Sequence, residues 1–165
     1  MQDITRVRAA FRIVLLLLIA ATLVFIFANS LKSAEESGKD SAAVGGLLSS
    51  IFPPDTPLGA FIKDNLRKLA HFTEFGLLGA EIAVYVYFFA KDRRRWAALS
   101  PIAGLVVGFI DETLQYIPDR GPEISDVWID LGGFVTLSLV AYGAIHAVRL
   151  LARAIKEKQL EKENG

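Results

Sequence analysis

The sequence contains no cysteine. That excludes disulfides, zinc–thiolate sites, iron–sulfur clusters and thiol nucleophiles, and leaves the redox compartment open. It also lacks a surplus of either charge: 18 Lys and Arg face 18 Asp and Glu, for a formal net charge of zero at pH 7. No overall basic field exists to recruit nucleic acid, so none is expected as a partner. Charge is scarce as well, at 22% of 165 residues, against 53% hydrophobic residues and a mean hydropathy of +0.41. A soluble domain of this length carries such an apolar fraction only in short periodic segments. Here it lies in four long runs, the pattern of a membrane protein.

The first run, residues 13–28, is 16 consecutive apolar or small residues. It extends to a span over about 11–28, with Arg12 placed to snorkel to the interface. Arg6 and Arg8 before an apolar stretch are also how a signal peptide begins. The run is long for that purpose, and Ile26-Phe27-Ala28 is no small-x-small cleavage site. Three further runs follow: 69–90, interrupted by His71, Glu74 and Glu81; 96–116, polar at Asp111, Glu112 and Gln115; and 127–148, which contains Asp130. A helix of 22 residues rises about 33 Å, close to the hydrocarbon thickness. A soluble four-helix bundle would need a polar stripe along every helix, and 84–90 and 96–110 have none. The expected fold is a single all-α membrane domain over 1–165. It has four transmembrane helices in a compact bundle, followed by a solvated helical tail over 149–165.

Twelve of the 18 Lys and Arg residues lie in 1–12, 91–95 and 149–165. The basic turn Lys91-Asp92-Arg93-Arg94-Arg95 is the strongest single signal, and the positive-inside rule puts it and both termini in the cytoplasm. The long loop after the first span and the short loop over 118–122 then face outward. In the long loop, 33–50 mixes Ser, Gly, Ala and charge, which suits a mobile or weakly helical segment. Thr56 followed by Pro57 is the start of a short interfacial helix, whose apolar residues Leu58, Phe61 and Ile62 share one face.

The polar residues inside the spans gather at one depth. Helix two begins outside, with Lys68, His71 and Glu74 in its first turns; helix three ends outside with Asp111, Glu112 and Gln115; helix four begins with Asp126 and Asp130. At 100° per residue, His71, Glu74 and Glu81 share one stripe, as do Gly104, Gly108, Asp111, Glu112 and Gln115. Gly104-x-x-x-Gly108 is a small-residue face that admits a neighbouring helix. Ionisable groups in a bilayer face the bundle interior, so these elements predict an outward-opening polar pocket bordered by Arg120 of the loop. Lys68 at a helix end can instead be snorkelling, and Asp126 can be a helix cap. Four carboxyls needing burial, Glu74, Asp111, Glu112 and Asp130, demand a shared proton, a metal or a cationic ligand. Asp111 and Glu112 are adjacent and point about 100° apart, so they cannot serve the same contact.

Lys68-x-x-His71-Phe72-x-x-Phe75-x-x-Leu78-Gly79 resembles a signature of the VanZ-like family of small bacterial membrane proteins. Asp111-Glu112-x-x-Gln115-Tyr116 with Arg120, and Asp126-x-x-x-Asp130-x-x-Gly133, resemble its second and third motifs. Phe27-Ala28-Asn29-Ser30 is similar to the family's exit from the first span. The resemblance covers about 12–148 and implies a four-span protein of the bacterial cytoplasmic membrane. The family's namesake is associated with teicoplanin resistance; the resemblance alone does not transfer that role, and an effect on glycopeptide sensitivity is expected here only through binding of an envelope lipid or cell-wall precursor. Position 130 is Asp where Asn is common in the family.

Two readings of the pocket follow. In the first, the protein is not an enzyme. The acids engage an amine while Lys68 and Arg120 engage phosphate or carboxylate, so membrane lipids or a lipid-linked cell-wall precursor are the partners. In the alternative, His71, Glu74, Asp111 and Glu112 hold a divalent cation, or act as acid and base, in an intramembrane enzyme acting on a lipid-linked or phospholipid substrate. No nucleophile motif accompanies them. A transport path is not expected in a monomer, because no polar track continues from Glu81 to the cytoplasmic side. The sequence leaves ligand identity and oligomeric state open.

Overall fold

The computed structural model describes residues 2–164. Among them it forms six helices: α1 (Gln2–Ser30), α2 (Ala34–Ser49), α3 (Pro57–Asp64), α4 (Leu66–Phe89), α5 (Arg93–Leu114) and α6 (Ile124–Asn164). Four of these, α1, α4, α5 and α6, are long and apolar enough to cross a membrane. They coincide with the four apolar runs, but their ends move. Helix α1 starts well before its run, because a helix does not stop where hydropathy does. Helix α6 continues without a break through the tail. Its 41 residues rise about 60 Å, roughly twice the hydrocarbon thickness, and residues 149–162 are exposed.

Helices α1 and α4 are antiparallel: Asn29 meets Glu74 near the start of α4, and Arg12 meets Tyr85 near its end. Helices α4 and α6 run parallel, since His71 faces Asp130, Gly79 faces Ser138, and Tyr87 lies beneath Arg149. This is the most extensive helix contact in the fold, and its closeness depends on glycine. A Cβ on Gly79 would lie 2.2 Å from the Phe134 carbonyl oxygen, and one on Gly133 2.1 Å from that of Phe72. Neither position admits a side chain unless the backbones separate. The Gly104–Gly108 face of α5 does receive α6: Gly104 seats the Phe134 ring, and a Cβ on Gly108 would lie 3.4 Å from Asp130 Oδ2. Ile26, Phe75, Leu78 and Phe134 form the buried apolar core one or two turns inward of the polar groups.

In the long loop the structure takes the helical of the two alternatives that its composition allows. Ser33 and Glu36 form a reciprocal capping box, with the Ser33 hydroxyl accepting from the Glu36 amide and the Glu36 carboxylate accepting from the Ser33 amide at 2.9 Å. That box nucleates α2, which lies on the surface with no buried residue. Helix α3 begins as its sequence indicates: Thr56 Oγ1 accepts from the Gly59 amide at 3.1 Å, and Pro57 occupies the first turn.

Candidate functional site

The end of α1, the first turns of α4, the end of α5 and the start of α6 meet at one end of the spans. Asp111, Gln115 and Asp130 are completely buried there, with Glu112 and Asp126 nearly so. His71 Nδ1 stands 3.2 Å from Asp130 Oδ1 and 3.8 Å from Asp111 Oδ2. The Ser30 hydroxyl, at the last turn of α1, donates to Asp111 Oδ1. Glu112 has hydrogen-bond partners of its own, accepting from Gln115 Nε2 at 2.6 Å and from the Glu123 amide at 2.8 Å. The two adjacent acids thus tie α5 to different hydrogen-bond partners, in keeping with their angular separation, while each still offers an oxygen to the same cluster. One helical turn beyond His71, half-buried Glu74 accepts from Asn29 Nδ2 at 3.0 Å.

Two arginines border the acids. Arg67 donates to Gln115 Oε1 at 2.8 Å and lies 3.7 Å from Asp126 Oδ2. Arg120 is positioned by a chain reversal at the end of α5. Asp119 adopts φ 56°, and the Arg120 amide returns to the Gln115 carbonyl at 3.0 Å. A left-handed residue is a usual way to close a helix end, and Asp is one of the few non-glycine residues that tolerates it. The Arg120 guanidinium then reaches the carbonyls of Asn29 and Lys32 at 3.4 and 3.3 Å, closing the exit of α1. Burial, and after it the nearby Arg67 guanidinium, draws Arg120 below its ordinary value. Two crowded cations leave this corner favourable to an anion.

Four buried atoms here have no hydrogen-bond partner among the described residues: Asp111 Oδ2, Asp126 Oδ1, Asp130 Oδ2 and Arg67 Nε. In addition, His71, Asp111, Glu112 and Asp130 each offer a ligand atom within 4.8 Å of the others, an arrangement that can hold a metal ion. Beside them a cavity of about 620 Å³ opens between α1, α2 and α4. Its lining combines polar residues, Asn29, Arg67, His71, Glu74 and Arg120, with apolar ones, Phe25, Val44, Leu48 and Leu69.

Of the residues singled out from sequence, the structure brings His71, Asp111, Glu112, Gln115, Asp126 and Asp130 together, with Glu74 and Arg120 on the cavity wall. Lys68 is exposed and makes no hydrogen bond or ion pair among the described residues. Arg67 stands in the position considered for it. The signal was helical phase: 67, 71 and 74 share a face, whereas 68 is turned about 100° away. Asp126 sits in the first turn of α6, facing Arg67, rather than at its cap. Ser30 and Asn29 also serve the site, and their only sequence signal is their place at the exit of the first span. Deeper in the spans, Thr22 Oγ1 donates to Glu81 at 3.0 Å.

Four candidate spans, with an acidic and histidine cluster buried among them, define the chain as a multi-pass membrane protein. It matches the VanZ/LLP1 family over residues 12–146 and belongs to that family. Neither a curated protein nor a solved structure matches it.

Proposed function

We propose that this protein resides in the bacterial cytoplasmic membrane with both termini inside. There it binds an amphiphile bearing phosphate and amine groups, an envelope lipid or a lipid-linked cell-wall precursor, in the cavity beneath α2. The observation that carries the reading is the lining of the cavity itself, which combines Arg67, Arg120 and Glu74 with the apolar Phe25, Val44, Leu48 and Leu69. Cations of this kind suit phosphate, the carboxylate suits an amine, and the apolar wall suits an acyl or prenyl chain. The orphan Nε of Arg67 adds a donor without an acceptor. Holding a precursor in this way would alter its availability to a glycopeptide, which is the route to a change in teicoplanin sensitivity.

The orientation rests on the Lys and Arg bias. Reporter fusions after Arg94 are expected to behave as cytoplasmic, and fusions within 38–50 as external; the reverse pattern would place the cavity on the wrong side. Binding is tested by titrating detergent-purified protein with phosphatidylethanolamine, a polyprenyl phosphate and diacylglycerol. Saturable binding of the first two, but not of diacylglycerol, is expected. Each charge-assisted hydrogen bond contributes about 1.5–3 kcal/mol, so Arg120→Ala should weaken phosphate-lipid binding by about 10–100-fold. Equal binding of diacylglycerol would remove the headgroup from the reading, and no saturable binding would end it. An intramembrane metal-assisted enzyme is the second reading, favoured by His71 belonging to both the cavity wall and the acid cluster. Its measure is turnover of the same phosphate lipids.

A further inference from the structure

We propose that His71, Asp111, Glu112 and Asp130 form a divalent-cation site of the Mn²⁺ class, buried at the end of the spans.

The geometry is nearly that of a coordination shell. Their ligand atoms lie within 4.8 Å of one another. A six-coordinate ion with bonds near 2.1 Å places opposite ligands about 4.2 Å apart, so a contraction of a few tenths of an ångström closes the set. Two oxygens also point to a missing partner. Asp111 Oδ2 and Asp130 Oδ2 are buried and accept no hydrogen bond, on side chains that are 1% and 0% exposed. Asp111 Oδ2 lies 3.8 Å from His71 Nδ1, so it faces into the cluster. A buried, unpaired carboxylate oxygen is among the costliest groups to place in an apolar medium.

Charge leads the same way. Three carboxylates face one imidazole, and the two bordering guanidinium groups are directed elsewhere, Arg67 to Gln115 and Asp126 and Arg120 to the carbonyls of Asn29 and Lys32. A divalent cation supplies the missing positive charge at the centre. The groups around the cluster already orient its ligands: Ser30 holds one oxygen of Asp111, while Gln115 and the Glu123 amide hold Glu112. Such outer partners are the usual companions of metal ligands. Three carboxylates with one imidazole are hard enough for Mn²⁺, and the imidazole disfavours Mg²⁺ and Ca²⁺. No thiolate is available to favour a softer ion.

The site does not depend on a lipid occupying the neighbouring cavity. The full chain, purified in detergent and stripped with EDTA, is titrated with Mn²⁺ by electron paramagnetic resonance, with metal content measured in parallel and with Zn²⁺ and Mg²⁺ as competitors. One ion per chain is expected, together with a higher melting temperature that EDTA reverses. Asp130→Asn and His71→Ala should weaken Mn²⁺ binding by more than about 100-fold, beyond the 10–100-fold typical of an outer partner. Glu81→Gln, an intramembrane acid outside the cluster, should leave it unchanged. Failure of the wild-type protein to bind a stoichiometric ion would overturn the proposal whether or not any variant folds. So would Asp130→Asn binding Mn²⁺ as the wild type does, since the ion would then lie elsewhere. Mg²⁺ displacing Mn²⁺ at equal concentration would overturn the assigned class. Lipid titration of the same samples is read separately, so failure of one binding event is not mistaken for failure of the other.

Discussion

At one end of the four spans, Asp111, Glu112, Asp126 and Asp130 are sealed from solvent. At the other, Arg8, Arg12, Arg93 and Arg149 stay exposed and lie over the rings of Phe89, Tyr85 and Tyr87, 4.8–5.9 Å from the centroids. Both ends carry charge in helices that cross apolar surroundings, yet only the acids are withdrawn. An arginine has a long apolar stem, so it covers the aromatic surface while its head reaches the interface. An aspartate has no such reach; once its helix places it inside, it must be paired there or bind something. The basic end is therefore held by exposed contacts of arginine with aromatic rings, and the acidic end is where buried groups without partners are concentrated. Both stand on the parallel seam of α4 and α6.

That shared seam is the place to break both ends at once. Gly133→Leu forces a side chain against the Phe72 carbonyl, which a Cβ alone would approach to 2.1 Å. A cost of about 3 kcal/mol, the upper part of the usual overpacking range, is expected, read as a lower melting temperature in detergent. An unchanged melt would mean that the seam is not the common foundation. The next effect is confined to the acidic end. Ser30→Ala removes the hydroxyl that donates to Asp111 Oδ1 and leaves a second oxygen of that carboxylate unpaired. The expected loss is about 1–3 kcal/mol of stability, measured by the same melts after EDTA treatment.

Much of this division is legible in the sequence, and the reasons differ by element. The spans are plain because uninterrupted apolar length admits few other folds. The depth of the acids is plain because antiparallel succession converts chain position into membrane depth. Which cation joins them is harder. Lys68 stands first in the motif, whereas the periodicity of His71 and Glu74 selects Arg67. Ser30 gives no periodic signal, since the apolar run of α1 carries no polar stripe leading to it and its contact with Asp111 is purely tertiary. Helix α2 is obscured by its composition, although Ser33-x-x-Glu36 marks its start; the short-range capping bonds outweigh poor propensity there.

The anchoring end should be far more tolerant. Arg12 donates to the Tyr85 hydroxyl at 3.0 Å and lies over the same ring, but it is exposed. Exposed pairs of this type contribute up to about 1 kcal/mol, so Arg12→Gln should lower stability by less than Ser30→Ala does. A loss as large as that from Ser30→Ala would erase the distinction between anchor and site.

The smallest expected effect lies in α2, the surface helix that covers the cavity at the acidic end and has no counterpart at the basic end. Hydrogen bonds from the backbone and then the side chain of Ser33 hold the Glu36 carboxyl below its ordinary value. A group whose value is lowered by folding stabilises the folded form above its unfolded value, and that contribution disappears as pH falls through the folded value. The first turn of α2 should therefore be intact at neutral pH and fray in acid, below the usual glutamate range. Amide hydrogen exchange over 34–40 at neutral and acidic pH, corrected for intrinsic rates, reads this directly. Glu36→Gln retains a side-chain oxygen for the Ser33 amide, so it should keep the cap while abolishing its pH dependence. Glu36→Ala should fray the turn at every pH. If Glu36→Gln frayed the helix as fully as Glu36→Ala at neutral pH, the carboxylate charge rather than the reciprocal hydrogen bond would be holding α2 over the cavity.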